Sequence, residues 1–362
     1  MAVSKILVRP AWLVSNEDGE ELDQQLFPVL QAIHDAGKLT VAAAKVGLSY
    51  RHAWNLIGRW SEFFGSPLVN LERGRGTTLT PLGEKLLWAE QRINARLAPQ
   101  LESLASELNL EISKLVTKAR STLRIHASHG FAVAKLPELL QAHSQIQLDL
   151  RYLGTQESLA SVARGACEFG GFHVPEGKLG ERALAQYAKW LLPEQKLIYL
   201  VTRTQGLFLA KGNPKNIRGF ADLGRPGAVF INRQRGSGTR LLIDQLLEEA
   251  GVDLQRLDGY QTEEFTHAAI AAYVASGMAD AGFGVEPAAR QFALDFLPMA
   301  KERYFLICRA ESLGLPESKE LIELIRGQAF LDLIAGLPGY SAPRAGQVES
   351  VAEAFPSIES RK

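Results

Sequence analysis

The sequence predicts an α/β protein in three parts. These are a winged helix-turn-helix over residues 1–80, a linker or dimerisation helix over 81–112, and a C-terminal two-lobed α/β domain over 121–345. Three observations predict this order. Two short apolar-periodic helices are joined by a turn containing Gly47. Apolar residues recur every three or four positions from Leu82 to Leu108. Beyond residue 120, short apolar runs alternate with helical patterns, which is typical of an α/β sheet.

Composition narrows the class of protein. The chain has 362 residues, 46% hydrophobic and 22% charged, as expected for a soluble globular protein with a sizeable core. Its formal net charge is zero, so contact with nucleic acid would need a local basic patch. Cys167 and Cys308 lie far apart and indicate neither a disulfide framework nor a structural zinc site. Without a signal-peptide pattern or a bilayer-length apolar run, we expect a cytoplasmic protein with no membrane partner.

The first part is predicted to contain a strand followed by three helices. The predicted positions are a strand at 3–13 and helices near 21–36, 41–46 and 49–64. Gly37 should stop the first helix, while Thr40 and Ser49 can cap the second and the third. The expected buried side of the third helix consists of Ala53, Trp54, Ile57 and Trp60.

Positive charge is concentrated where such a domain meets DNA. Residues 68–80 predict a β-hairpin with a flexible basic tip, which is a wing. From Lys38 to Arg75 there are six basic and two acidic residues, whereas acids dominate residues 1–37. The candidate DNA-binding residues are Thr40, Ser49, Tyr50, Arg51, His52, Asn55, Arg59, Arg73 and Arg75. An ordinary helical pair with solvated charges is the alternative.

This part resembles a known family. Residues 39–57, followed by Leu-Thr-Pro-Leu-Gly-Glu at 79–84, resemble the winged helix of LysR-type regulators, and Ser-Tyr-Arg-His-Ala-Trp at 49–54 is closer to the ModE-type, molybdate-responsive branch. The resemblance covers about residues 20–110. It implies binding to double-stranded operator DNA, with the helix from Ser49 to Trp60 in the major groove.

A long helix should begin at Pro81. Its apolar stripe resumes beyond Pro99, a residue that can kink or break a helix. The stripe could pair with a second chain or pack onto the chain's own domain. The LysR resemblance favours pairing, and hence a homodimer or homotetramer.

The remaining chain predicts a parallel α/β sheet in two lobes, at about 121–203 and 206–305. Strands are expected at 121–127, 147–153, 169–174 and 279–285, with helices at 131–143, after Gln156 through Arg164, and at about 263–275. The most distinctive stretch is Val229 to Arg240, which predicts a strand, a Gly-rich turn and a helix start. Its helix N-terminus, with Ser237 and Thr239, suits an anion; a capped turn with two surface arginines is the alternative.

This half resembles the periplasmic-binding-protein-like domain of molybdate-type solute receptors, in the version fused to ModE-like or LysR-like DNA-binding domains. The stretches that carry the resemblance are 203–207, 212–214, 229–240, 259–260, Glu264, 266–267 and 279–284. It covers about 121–340. The loop at 174–178 is shorter than in many relatives, which puts a ligand contact from that loop in doubt.

In a domain of this kind the ligand sits between the lobes, at the carboxyl ends of strands. The candidate ligand-binding residues are Ser128, His129, Thr155, Ser158, Arg235, Ser237, Gly238, Thr239, Arg240, Thr262, Thr266 and His267. Neutral donors at helix ends can hold a compact anion such as molybdate, tungstate, sulfate or formate. The alternative readings are plain caps for the hydroxyls, structural hydrogen bonding for both histidines, and a solvent-facing Arg240.

Catalytic patterns do not emerge from the sequence. It contains no Gly-x-Ser-x-Gly elbow and no His/carboxylate cluster at metal-ligand spacing, so we expect neither an enzyme nor a metal or other cofactor. The predicted function is a one-component transcriptional regulator that senses a small anion and controls molybdoenzyme or molybdenum-related genes. A constitutive DNA-binding protein with a vestigial sensor and a transport receptor are the alternatives.

Overall fold

The computed structural model describes residues 6–12, 14–15, 19, 21, 23–72, 76–116, 121–356 and 358. It forms two compact units, one of Arg9–Ala95 and one of Arg96–Lys362 with the described part of Met1–Val8. Among these residues no helix is long and apolar enough to cross a membrane.

The N-terminal unit is a helix-turn-helix with a two-stranded hairpin. Its elements are α1 (Leu26–Ala36), α2 (Leu39–Lys45), α3 (Tyr50–Phe63), β1 (Val69–Glu72) and β2 (Gly76–Leu79). Gly37 takes φ 64° and donates its N–H to Ile33 O, so α1 ends where predicted. Ser49 Oγ accepts from His52 N at 3.1 Å and caps α3, also as predicted.

Three local predictions for the first 80 residues are wrong. Residues 6–12 form no strand. Helix α1 begins at Leu26, five residues after the predicted start. Thr40 does not cap α2, because the helix already begins at Leu39 with Lys38 at the capping position. Leu39 is buried in the core of this unit, so tertiary packing starts the helix before its best capping residue.

The predicted long helix is α4 (Pro81–Val116), and it is continuous through Pro99. Thr80 Oγ1 accepts from Gly83 N at 3.2 Å and so caps its first turn. Proline is favourable at the first helical position, where no intrahelical donor is needed. The Pro99 ring removes one donor inside the helix without ending it.

The C-terminal unit is built on one large sheet covered by helices. Its strands are β3 (Thr122–Ala127), β4 (Gln147–Tyr152), β5 (Phe169–Pro175), β6 (Lys196–Leu209), β7 (Phe230–Arg233), β8 (Glu263–Glu264), β9 (Ala281–Val285), β10 (Asp295–Cys308), β11 (Tyr340–Ser341) and β12 (Val348–Ser350). Its helices are α5 (Leu136–His143), α6 (Thr155–Ala163), α7 (Lys178–Tyr187), α8 (Gly238–Glu249), α9 (His267–Ala275), α10 (Glu286–Gln291), α11 (Pro316–Arg326), α12 (Gln328–Ala335) and α13 (Val351–Ala354).

The sheet is mixed rather than parallel, which corrects the sequence prediction. Its strand order is β4-β3-β5-β10-β6-β9-β7-β8. The pairs β3·β4, β3·β5 and β7·β9 are parallel, but β10 runs antiparallel to both β5 and β6. Strands β6 and β10 are 14 residues each, so the chain crosses between the two lobes twice and the lobes share these strands. The short apolar runs at 206–210 and 304–308 belong to these long strands, which the sequence pattern did not reveal.

Candidate functional site

Helix α3 presents a polar face in the N-terminal unit. Ala53, Leu56, Ile57 and Trp60 are buried, which leaves the opposite side in solvent. The exposed residues of the predicted DNA-binding set are Thr40, Ser49, Tyr50, Arg51, His52, Asn55 and Arg59. Arg73 and Arg75 lie outside the described residues. Trp54 was expected in the core, but its side chain is 41% exposed, and Leu56 is on the buried side.

The main cavity of the C-terminal unit lies at the carboxyl ends of β3, β4 and β7. Its volume is about 430 Å³, and this is the position at which ligands bind in open α/β sheets. The first turns of α6, α8 and α9 contribute to its wall. The charged residues in the wall are Arg96, Arg203, Arg233, Arg235 and Glu157, so positive charge dominates.

A buried ion pair lies at the floor of the cavity, where Arg203 and His173 line the space and Glu302 lies behind them. Arg203 on β6 and Glu302 on β10 are directly opposite in the ladder, and their side chains are 2% and 0% exposed. Glu302 Oε1 accepts from Arg203 Nε at 2.5 Å and from Gln205 Nε2 at 2.6 Å. Although burial alone raises the pKa of Glu302, the charge of Arg203 and these hydrogen bonds lower it below the ordinary value. Glu302 is therefore a fixed anion.

His173 on β5 is held neutral beside this pair. Arg203 Nη2 lies 3.2 Å from His173 Nδ1, and because a guanidinium only donates, Nδ1 is the acceptor and Nε2 carries the proton. Nε2 has no hydrogen-bond partner in the described structure and lies 3.9 Å from Glu302 Oε2. Burial lowers the pKa of His173 to about 4. The floor thus presents an unused N–H donor.

Arg233 at the end of β7 is the second buried cation, with 4% exposure. Its partners are neutral: His267 Nδ1 at 3.1 Å, Phe265 O at 2.9 Å and Gln234 Oε1 at 3.2 Å. No carboxylate among the described residues pairs with it. Desolvation and the charge of Arg203 therefore lower the pKa of Arg233 to about 9. Two buried arginines and one glutamate leave an excess positive charge at the cavity.

Two histidines complete this region of the wall. Desolvation and Arg233 lower the pKa of His267 well below its usual range. The same two causes lower the pKa of His129 to about 4. Neutral histidines add donors to the cavity without adding charge, so the positive charge comes from the arginines.

The N-terminus of α8 faces the cavity. Ser237 Oγ accepts from Arg240 N at 3.1 Å, and Thr239 Oγ1 accepts from Gln205 Nε2 at 3.4 Å. Gly238 stands between them where a Cβ would lie 2.4 Å from His173 Nε2. Only glycine lets the start of this helix approach the floor so closely. The helix dipole adds partial positive charge at the same point.

The structure brings part of the predicted ligand set together. The members that line the cavity are Ser128, His129, Arg235, Ser237, Thr239 and His267. Arg235 is at the rim, with its side chain 72% exposed and 3.3 Å from Glu263. Ser128 Oγ lies 3.2 Å from Tyr304 Oη. Ligand contact by these six residues remains a prediction.

Other members of the set lie elsewhere. Thr155 and Ser158 are buried beside the cavity but outside its wall, where Gly154 and Gln156 take their place. Thr262 is exposed and away from the cavity. Thr266 acts as the cap of α9, accepting from Ala269 N at 2.9 Å.

Arg240 is the clearest correction. Its Nε donates to Asp244 at 2.9 Å and its Nη1 to Glu263 at 2.9 Å, and its guanidinium lies 4.4 Å from the Tyr260 ring centroid. It lines an adjoining cavity of about 350 Å³, which shares Gln156, Arg235, Gly236 and Ser237 with the first. With two carboxylates and a ring as partners, Arg240 is a structural residue.

The sequence analysis did not identify the buried residues that set the charge of the cavity and lie at its floor. These are Arg203, Arg233, His173, Gln205, Glu302 and Tyr304. One signal was available: Arg233 ends an apolar run, and an arginine at the end of a fully buried strand needs a partner. The Arg203–Glu302 pair joins residues 99 apart, so no local pattern could show it.

Two known family models match the chain, one in each of its two units. The family model of the PBP superfamily domain matches residues 137–326. The model of the bacterial regulatory helix-turn-helix protein, lysR family, matches residues 25–84.

Individual proteins are similar over part of the chain. The YvgK protein of Bacillus subtilis is 34% identical over 200 residues, 55% of this chain and 64% of that protein. The molybdenum-pterin-binding protein MopB of Rhodobacter capsulatus is 31% identical, over 43% of this chain and 58% of that one. The molybdenum transport protein ModE of Herbaspirillum seropedicae is 27% identical, over 53% and 68%. The chain thus spans about 64% of the length of the first of these.

Among solved structures, an H2O2-bound OxyR mutant of Corynebacterium glutamicum is similar. It is 16% identical, covers 86% of this chain and 93% of its own, and gives a TM-score of 0.45.

Proposed function

Because the chain belongs to the PBP superfamily and carries a LysR-family helix-turn-helix, we propose that it is a DNA-binding transcriptional regulator whose C-terminal unit senses a small anion. The single observation that carries the anion is Arg233. A buried guanidinium with only neutral acceptors is costly unless an anion binds beside it.

The site chemistry supports a compact anion. Arg233, His173 and the first residues of α8 belong to one cavity wall, so charge-assisted and neutral donors are both available. The candidates are molybdate, tungstate, sulfate and formate. The similarity to a molybdenum-pterin-binding protein and to a molybdenum transport protein favours the molybdenum oxyanion. A cavity of about 430 Å³ admits such an anion together with water, since one water occupies about 30 Å³.

The test is a thermal-shift screen on the full chain. The probes are molybdate, tungstate, sulfate, phosphate, nitrate and formate at matched ionic strength. A ligand that binds only the folded state raises the melting temperature. We expect at least one anion to do so, and Arg233→Gln to abolish the shift.

The matched control is Arg256→Gln, which removes the same charge from the same lobe. The Arg256 side chain is 83% exposed and lies outside the cavity. It should leave the shift unchanged. If no anion in the panel stabilises the protein, or if Arg233→Gln responds like the wild type, the anion proposal fails.

The second part of the proposal is that two copies of the chain pair through α4 and bind DNA as a dimer. Helix α4 carries exposed apolar side chains at Leu104, Leu108 and Leu115, with 52%, 41% and 87% exposure. Their helical spacing suits pairing with a second copy, and a dimer matches a two-fold operator. A Leu108→Asp variant should shift the mass in size-exclusion light scattering towards the monomer.

The cytoplasmic location remains a prediction.

A constitutive regulator with a vestigial sensor is the competing function. The unpaired charge of Arg233 argues against it, since a disused cavity would gain stability by losing that cation. Mobility-shift titrations with and without the stabilising anion separate the two, because only a sensor changes its DNA affinity.

A further inference from the structure

Helix α4 is a wall of the anion cavity as well as a connector. Its residues Arg96, Pro99 and Gln100 line the cavity together with residues of both lobes. A ligand in the cavity therefore lies against the helix that leads back along the chain to Pro81.

The helix is fixed to one lobe along a sheet edge. Strand β4 is the edge strand, and its free backbone groups are bound by side chains of α4. Ser103 Oγ accepts from Tyr152 N at 3.0 Å, while Ser106 Oγ accepts from Leu150 N at 3.0 Å and donates to Leu148 O at 3.3 Å. Serine hydroxyls thus replace the missing next strand.

The same helix also contacts the other lobe, through Arg96. Arg96 Nη1 lies 3.6 Å from Glu264 Oε1, and its guanidinium is 5.6 Å from the centroid of the Phe265 ring. The Arg96 side chain is 45% exposed. A cation half in solvent, with a carboxylate and a ring as partners, is held weakly and can move.

Glu264 and Phe265 also contact the central cation of the site. Glu264 is the ladder partner of Arg233, and Phe265 O accepts from Arg233 Nη2 at 2.9 Å. A reorientation of Arg233 towards an anion would break the hydrogen bond that its Nη2 donates to Phe265 O. Arg96 contacts the same segment from the other side.

We propose that α4 belongs to the effector cavity together with the two lobes. We further propose that Arg96 changes its contacts when Arg233 changes its own, because both arginines contact Glu264 and Phe265. This inference rests on the proposed anion function for its trigger. The coupling itself is a property of the protein with or without ligand, so it can be tested separately.

The experiment is hydrogen–deuterium exchange on the full chain, followed at residues 96–100 and 264–266. The variants are Arg96→Gln and, as a matched control, Arg124→Gln. Arg124 has a side chain 44% exposed and an ion pair with Glu168, and it lies outside the cavity wall. The probes are molybdate and formate, with affinity measured by calorimetry.

In the wild type, the probe that binds should change exchange at 264–266 and at 96–100 together. Compared with the wild type at the same fractional occupancy, set from the measured affinities, Arg96→Gln should lose the change in α4. Arg124→Gln should behave as the wild type. An unchanged α4 response in Arg96→Gln overturns the proposal but leaves the anion function intact.

If neither probe binds, a ligand-free experiment tests the coupling between Arg233 and α4. Arg233→Gln removes the donor to Phe265 O in the absence of any anion. It should alter exchange in α4 when Arg96 is present and not when Arg96→Gln is added. Equal effects in both backgrounds would show that the segment carries no signal to α4 through Arg96.

Discussion

Replacement of Glu302 by glutamine tests the electrostatics of the cavity floor. The carboxylate has 0% exposure and accepts from Arg203 at 2.5 Å and Gln205 at 2.6 Å. Glutamine keeps an acceptor oxygen but removes the charge, so Arg203 stays buried without a counterion. Breaking a buried ion pair by removing one partner costs about 3–5 kcal/mol. We expect a loss near the low end of that range, about 3 kcal/mol, because the hydrogen-bond geometry survives.

The same substitution should strengthen anion binding. The formal charge of Arg203, Arg233 and Glu302 is +1, from two arginines and one glutamate, and it becomes +2 in Glu302→Gln. An anion then neutralises a larger charge in a desolvated site. Each tenfold gain in affinity returns about 1.4 kcal/mol, so the variant should lose less stability when the anion is present.

The assay is urea unfolding of both proteins with and without a saturating anion from the panel. Glu311→Gln is the control, since the Glu311 side chain is 69% exposed and its ion pair with Arg309, at 3.3 Å, lies at the surface. The control should lose little stability in either condition. If the loss in Glu302→Gln is the same with and without the anion, the floor does not act on the ligand and our reading of the charge is refuted. If the variant folds poorly, refolding in the presence of the anion should recover it.

Three further predictions concern acid, packing and DNA. Burial lowers the pKa of His173 to about 4. The contribution of His173 to the free energy of unfolding is therefore full above about pH 6.5, and about 2 kcal/mol of it is lost by pH 5, because the unfolded chain binds a proton first. In urea unfolding, the stability of His173→Gln should differ less between pH 7 and pH 5 than that of the wild type. Gly238→Ala places a methyl 2.4 Å from His173 Nε2 and should cost about 1–3 kcal/mol in thermal unfolding, whereas Gly219→Ala meets nothing within 4 Å and should cost little. Arg51→Ala should weaken DNA binding and lower the salt slope by about one in mobility-shift titrations; the same slope as in Arg256→Ala would exclude Arg51 from the DNA face.

The N-terminal unit was the more predictable part because its signals are local. A cap at Ser49 and a left-handed Gly37 act within a few residues, and both predictions are confirmed. The prediction for Trp54 is wrong, because helical spacing shows which residues share a side but not which apolar residue is exposed.

The cavity was predictable in place but not in chemistry. Helix starts after strands are visible in the sequence, and Ser128, Ser237 and His267 do line one cavity. Its charge depends on contacts between strands far apart in the chain. The partner of Arg203 is 99 residues away, so the sequence cannot show that this arginine is neutralised.

Arg233 and Arg240 show why this distinction decides the function. Both arginines belong to the same twelve-residue stretch that drew attention in the sequence, and both are buried, with 4% and 5% exposure. Asp244 and Glu263 neutralise Arg240, while neutral acceptors alone hold Arg233. The two residues are almost equally buried, so burial does not distinguish them. Two carboxylates neutralise Arg240, whereas Arg233 has no carboxylate partner among the described residues. The charge that remains at Arg233 requires a negative ligand, which is why an anion, and not a neutral solute, is the effector we propose.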